Sequence, residues 1–262
     1  MGQKIRPTGF RVGVTEEWRS RWYAKKKDFG GLLCEDQKIR EAVKREYGFA
    51  GVPRVDIERK TEGGEVTVII KTARPGVIIG RKGQKVDKLK DDLAKITSKK
   101  VDLKIEEIGR PELDAQLVAE GVAEQLKKRM SFRRVIKKSL ELTMGAGAKG
   151  CRIRVAGRLG GNELARSEHS HEGSIPLTTI RANLDYGYAV ANTTHGTIGV
   201  KCWIFLGLLK PGEKKKSRPA QALADAQAEY GGGGGGGERG GERGNFQSGG
   251  YPSQGGGQGG EG

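Results

Sequence analysis

The sequence predicts an α+β protein made of two mixed units and a glycine-rich tail. Three observations carry this. Between residues 36 and 109, helical periodicity and strand alternation interleave in the order helix, strand, strand, short helix, loop, helix, strand. Between 110 and 210, two helical stretches precede four strand-like stretches separated by Gly and Asn, as for two helices packed on an antiparallel sheet. After Tyr230 almost nothing can enter a core. The expected organisation is a basic arm over 1–35, a first unit over 36–109, a second over 110–210 and a disordered tail over 211–262.

Residues 1–35 carry Pro7 and scattered glycines among cations, which reads as an irregular arm ordered by its surroundings. Asp36 is placed to cap a helix to about Tyr47, with Ile39, Val43 and Tyr47 on one face. Residues 52–59 alternate as a strand, Gly63-Gly64 marks a turn, and 65–73 alternate again. An apolar turn, Val77-Ile78-Ile79, leads into the loop at 80–83. A helix follows with Val86, Leu89, Leu93 and Ile96 at spacings of three, four and three, and then a strand with Val101, Leu103 and Ile105. Gly109-Arg110-Pro111 is the boundary. Helices are expected over 112–129 and 132–144, and strands over 150–156, 166–172, 177–190 and 197–206. Residues 214–218 form a basic exit and 220–230 a short helix.

Charge narrows the function. The chain carries a formal +16, and the tail from Arg218 on contributes −2, so the rest holds +18. Such a body repels itself unless a polyanion is near, and nucleic acid is the usual one. A basic surface with no polyanionic partner is the plainer alternative. No stretch approaches the ~18 apolar residues of a membrane span. The basic start at 1–11 lacks the apolar run of a signal peptide. Three distant cysteines (Cys34, Cys151, Cys202) suggest neither a disulfide framework nor a zinc site, and Cys151 and Cys202 read as buried thiols in a reducing cytoplasm.

The sharpest motif is Gly80-Arg81-Lys82-Gly83. Two glycines let the backbone bend and bring its N–H groups against a sugar-phosphate chain. The helix that starts at the loop points its positive end the same way. Arg81 and Lys82 add charge where that chain would pass. A loop of this kind between a short apolar turn and an amphipathic helix, with strands on either side, is the KH arrangement, which clamps about four nucleotides. A second feature is the stretch 127–138, with seven basic residues and no acidic one. Arg133, Arg134, Lys137 and Lys138 share a helix face opposite Phe132, Val135, Ile136 and Leu140. Like charges four apart cost a helix a few tenths of a kcal/mol per pair, which a polyanion along that face would offset. A solvated face is the alternative.

Other motifs carry less. Residues 145–150 match a dinucleotide fingerprint by letter, but a helix precedes and a strand follows, the reverse of what that fingerprint needs. No phosphate-binding loop of a nucleotide hydrolase occurs. His169 and His171 share a strand face, yet with His195 they lack a matching carboxylate or cysteine, so no metal is expected. Nothing orders a nucleophile, so no catalytic residue, cofactor or small-molecule substrate is expected and the chain is read as a non-enzyme. The turn 157–162, with Arg158, is either a plain hairpin or a place where RNA or a protein approaches the backbone. The tail's Arg-Gly pairs with Phe246 and Tyr251 either bind RNA weakly or end an inert linker.

Together these residues resemble the bacterial form of one family, the third protein of the small ribosomal subunit. The resemblance spans about 1–210. It rests on the opening Met1-Gly2-Gln3-Lys4 with Pro7 and Arg11, the run from Thr72 to Gly83, the run from Arg110 to Ala115, Phe132-Arg133-Arg134, the turn Gly157 to Gly161, and the run from Gly199 to Phe205. It implies a type II KH domain followed by a second α+β domain, seated on small-subunit rRNA in the head. It implies neighbours among the tenth and fourteenth small-subunit proteins, with the fourth and fifth where mRNA enters. It also implies that Arg133, Arg134 and Lys137 line the mRNA entrance and help separate structured mRNA; Lys138 joins them on the face read from the spacing, and Lys4, Arg6, Arg11 and Arg158 are expected as further rRNA contacts. The tail after Tyr230 departs from the family pattern, as does His169-Ser170-His171, where bulkier aromatic residues are usual. A free KH regulator of transcripts and a nucleic-acid-cutting enzyme are the competing readings. The regulator would carry mostly mRNA, and the enzyme would need a site that the sequence does not offer.

Overall fold

A computed structural model describes residues 4–60, 64–97 and 99–210, including the main chain but not the side chain of Lys82. The expected short helix at 220–230, the basic exit at 214–218 and the tail lie outside the described residues.

The first unit is built on helix α2 (Lys26–Tyr47), strands β2 (Arg54–Arg59) and β3 (Val66–Thr72), short helix α3 (Pro75–Ile79), helix α4 (Gln84–Thr97) and strand β4 (Val101–Glu107). β2 and β3 are antiparallel, whereas β3 and β4 run parallel in register from Val66–Val101 to Thr72–Glu107. The alternation read from sequence is the burial pattern: Val66, Val68 and Ile70 point inward, with Val55 and Ile57 beside them. Ile39 and Val43 of α2 and Leu89 and Leu93 of α4 close this core. The element order is that of a KH domain of the type II arrangement.

Two expectations about the first 36 residues need correction. The arm is not wholly irregular: it forms a short helix α1 (Pro7–Arg11) and a two-residue strand β1 (Ser20–Arg21) parallel to β2. Helix α2 begins at Lys26, ten residues before the expected start, and runs through Gly30-Gly31. Asp36 is therefore no cap; it sits inside the helix, fully buried. Its carboxylate accepts hydrogen bonds from Ser20 Oγ (3.1 Å), Trp22 Nε1 (2.8 Å) and Arg59 Nη2 (2.6 Å) and Nε (3.0 Å). A buried carboxylate is tolerable only with such partners, and removing one side of a buried ion pair costs ~3–5 kcal/mol. The partners come from β1, the residue that follows it and β2, out of reach of a local reading.

The second unit holds helices α5 (Ala115–Lys127) and α6 (Phe132–Gly145) and strands β5 (Gly150–Gly157), β6 (Arg166–Gly173), β7 (Ala182–Thr193) and β8 (Gly196–Leu208). The sheet order is β6-β5-β8-β7, all antiparallel. α5 starts where Asp114 caps it, accepting from the Gln116 and Leu117 N–H groups. Cys151, Ile153, Val155, Val200, Cys202 and Ile204 face the helices, and Val122, Leu126, Val135, Ile136 and Leu140 meet them. Both cysteines are buried thiols, as expected. β7 starts at Ala182, later than expected, because the preceding segment turns to receive Arg11. Among the described residues no helix is long and apolar enough to cross a membrane.

Candidate nucleic-acid interface

The loop at 80–83 lies between α3 and α4 and is itself one turn of 3-10 helix over Arg81–Gly83. Gly80 has φ +68° and Gly83 φ +79°, values that L side chains rarely adopt. A Cβ on Gly80 would lie 2.8 Å from Lys85 Cγ, while around Gly83 the space is open. The first glycine thus permits the turn and the second leaves bare backbone. Arg81 is exposed and pairs with no carboxylate among the described residues. Pro75 starts α3, whose Ile78 is fully buried as an anchor. The adjoining Ile79 is 41% exposed, an apolar surface beside the loop. In the sequence Val77-Ile78-Ile79 is a uniform apolar run, and only the fold separates a buried Ile78 from an exposed Ile79.

On α6, Arg133, Arg134, Lys137 and Lys138 are all exposed, and Val135, Ile136, Ser139 and Leu140 are buried. The amphipathic split follows the predicted spacing. None of the four cations forms an ion pair among the described residues. Ser131 precedes the helix without a side-chain cap, and no acidic residue stands in the first turn. Arg133 and Arg134 therefore add positive charge to the positive end of a helix, where like charge is unfavourable and an anion is favoured.

The structure also joins features that the sequence left apart. The turn from α5 to α6, the turn at Leu159–Gly161 and the β7–β8 hairpin border a cleft of about 500 Å³ lined by Lys127, Arg129, Phe132, Arg158 and His195, among others. Arg129 has φ +59°, the one described non-glycine residue in left-handed conformation. It stands just past the end of α5, where glycine is usual. Arg158 is exposed, yet its Nε donates to the Asn162 carbonyl (2.8 Å) and Nη1 to the His195 carbonyl (3.2 Å), so much of its guanidinium holds the turn closed. The guanidinium of Arg166 lies 5.6 Å from the Phe132 ring centroid, adding a cation beside α6 that its position on a strand had hidden.

Of the N-terminal candidates, Lys4 and Arg6 are exposed. Arg11 is not a free RNA contact. It is 1% exposed, and its donors go to the carbonyls of Pro7, Ala182, Leu177 and Thr179. His169 and His171 are exposed on β6, opposite Arg154 and Arg152, and His195 sits apart in the hairpin. Among the described residues no His/Cys/Asp/Glu group fit for a metal occurs. Residues 145–150 end α6 and enter β5, as their context predicted.

The geometry defines a two-domain protein with a KH loop and a separate basic helix. A KH domain family model matches residues 38–113, and one for the C-terminal domain of ribosomal protein S3 matches 122–204. The small ribosomal subunit protein uS3 of Finegoldia magna is 51% identical over 219 residues, covering 84% of this chain and 89% of its own length. Its counterpart in Koribacter versatilis is 50% identical over 216 residues, with 82% and 96% covered. That of Ruegeria pomeroyi is 50% identical over 235 residues, with 89% and 99% covered. The chain belongs to the uS3 family of small ribosomal subunit proteins. These relatives are ribosomal proteins rather than enzymes, in keeping with the sequence reading.

Proposed function

We propose that the chain is a structural constituent of the small-subunit head that binds small-subunit rRNA and lines the entrance taken by mRNA, helping to position and unwind the incoming strand. The observation that carries this reading is the uncapped start of α6, with Arg133, Arg134, Lys137 and Lys138 exposed, without carboxylate partners and on one face. Contacts from such a row go to phosphates, so they hold and orient a strand whatever its sequence. The side chains do no chemical work; translocation pulls the strand, and a duplex that cannot pass the row intact opens. The clamp at Gly80, Arg81, Lys82 and Gly83 serves RNA backbone in the first domain. Lys4, Arg6 and Arg158 are further rRNA contacts in this reading. The tenth and fourteenth small-subunit proteins adjoin the chain in the head, the fourth and fifth adjoin it at the mRNA entrance, and the assembly works in the cytoplasm.

The test is a ribosome carrying Arg133→Gln, Arg134→Gln and Lys137→Gln. It should assemble nearly as well as the parent but stall longer at mRNA hairpins while reading unstructured mRNA at the usual rate. Equal passage through hairpins would end the unwinding role.

A further inference from the structure

The second sheet has two faces. α5 and α6 cover one; the other carries two rows of cross-strand neighbours that the proposed function does not use. In the first row Arg152 on β5 stands opposite Trp203 on β8, which stands opposite Tyr186 on β7. In the next, Arg154 faces Lys201, which faces Tyr188. On β6 the rows continue into His171 and His169. No Asp or Glu projects from either row. The nearby carboxylates Glu168, Glu172 and Asp185 pair with Val155, Cys151 and Ile204, so they stand on the helix side.

The rows are pre-arranged. The Tyr186 and Trp203 rings lie 5.5 Å apart, and the Arg152 guanidinium lies 5.6 Å from the Trp203 ring centroid. Arg152 Nε is shielded and has no hydrogen-bond partner. Arg154 and Lys201 are exposed, and Tyr188 is 45% exposed. At the far end α1 packs on β7 and Arg6 lies over Tyr186, 5.2 Å from its centroid, so the open part of the face has a definite border.

We propose that this face is a second RNA platform, which takes a single-stranded stretch of RNA with bases on Trp203 and Tyr188 and phosphates on Arg152, Arg154 and Lys201, while Tyr186, under Arg6, closes the end of the row. Aromatic side chains on the open face of an antiparallel sheet stack bases in a sequence-tolerant way, and neighbouring cations track the backbone. RNA is favoured as the occupant by the charge: three cations stand on the face and no carboxylate projects beside them, so a polyanion is the complementary partner. The platform lies across the sheet from α6, so it is independent of the row facing mRNA.

The first experiment measures binding of the full chain to a 12-nucleotide unstructured RNA across a range of salt. Arg152→Gln/Arg154→Gln/Lys201→Gln should weaken binding and lower the slope of log affinity on log salt by about two, at ~0.7 per single-strand phosphate. Tyr188→Ala should lose about tenfold in affinity with the slope unchanged. If the triple variant folds poorly, Arg154→Gln/Lys201→Gln, both at exposed positions, should lower the slope by about 1.4. Parental affinity and slope in these variants would overturn the proposal. The second experiment replaces Tyr188 with the photoreactive p-benzoylphenylalanine in assembled small subunits. Cross-links to RNA support the platform; cross-links to protein alone, or none to RNA, overturn it.

Discussion

Arg11 and Ala182 are 171 residues apart in sequence, yet the guanidinium Nε of one donates to the carbonyl oxygen of the other at 3.1 Å. The same side chain reaches the carbonyls of Leu177 and Thr179 through Nη2. One buried cation thus fastens the N-terminal helix to the approach of β7 and satisfies carbonyls that the non-strand segment would otherwise leave unpaired. Arg11→Ala should cost about 3 kcal/mol, since hydrogen bonds to a charged group are worth ~1.5–3 kcal/mol each and their losses overlap. A lower urea midpoint and faster amide exchange over 176–182 are the expected readouts. Arg11→Lys should recover only part of the loss, because an ammonium lacks the planar fork.

At the clamp, Gly80→Ala meets both a left-handed φ and the Lys85 side chain, whereas Gly83→Ala meets the φ alone. Both should reduce RNA affinity, and Gly80→Ala should be the less stable, because at φ +68° and ψ −169° its backbone lies in a region nearly restricted to glycine, where a side chain costs ~1–3 kcal/mol before any clash. Thermal melting together with RNA titration of the two variants checks the order.

Arg129 holds a left-handed conformation that glycine adopts without strain. Arg129→Gly should therefore stabilise the fold by about 0.5–1 kcal/mol while weakening RNA binding at the α5–α6 turn. Stability and affinity moving in opposite directions would mark this arginine as kept for its charge. A loss of both would mean that its side chain packs as part of the fold.

The thiols make a check on the second core. Cys34 is exposed, and Cys151 and Cys202 are buried. Iodoacetamide should label Cys34 in the native chain and the other two only after denaturation. The hydrogen bond shared with Cys151, then burial, raises the Cys202 pKa well above the ordinary thiol value, while the same bond lowers that of Cys151; the fully buried Cys202 is the one that stays neutral. A raised pKa in the folded state gives a stabilising contribution that is present below the unfolded value of ~8.5 and is lost as pH rises past it. Urea midpoints should fall on the alkaline side of about pH 8.5, less so in Cys202→Ala.

Much of this was written in local pattern. The alternation of Val66, Val68 and Ile70 named the inner face of a strand, and the spacing of Arg133, Arg134, Lys137 and Lys138 named a helix face, because both depend only on near neighbours and a fixed repeat. What stayed hidden depends on distant partners. Asp36 looks like a helix cap until Arg59 and Trp22 arrive from other elements, and Arg11 looks like one more cation for RNA until the segment before β7 folds around it. The outer face of the second sheet was hidden for a related reason: Arg152, Lys201 and Tyr188 sit on three strands, and only their register shows that they adjoin.

The most direct test of the central claim uses ribosomes stalled on mRNA bearing a photoreactive 4-thiouridine just downstream of the decoding site, on the incoming side. Irradiation should join the mRNA to the segment 132–138 of this chain, and the yield should drop in the Arg133→Gln/Arg134→Gln/Lys137→Gln variant. Cross-links that form only with other proteins, at every downstream position tried, would contradict the account.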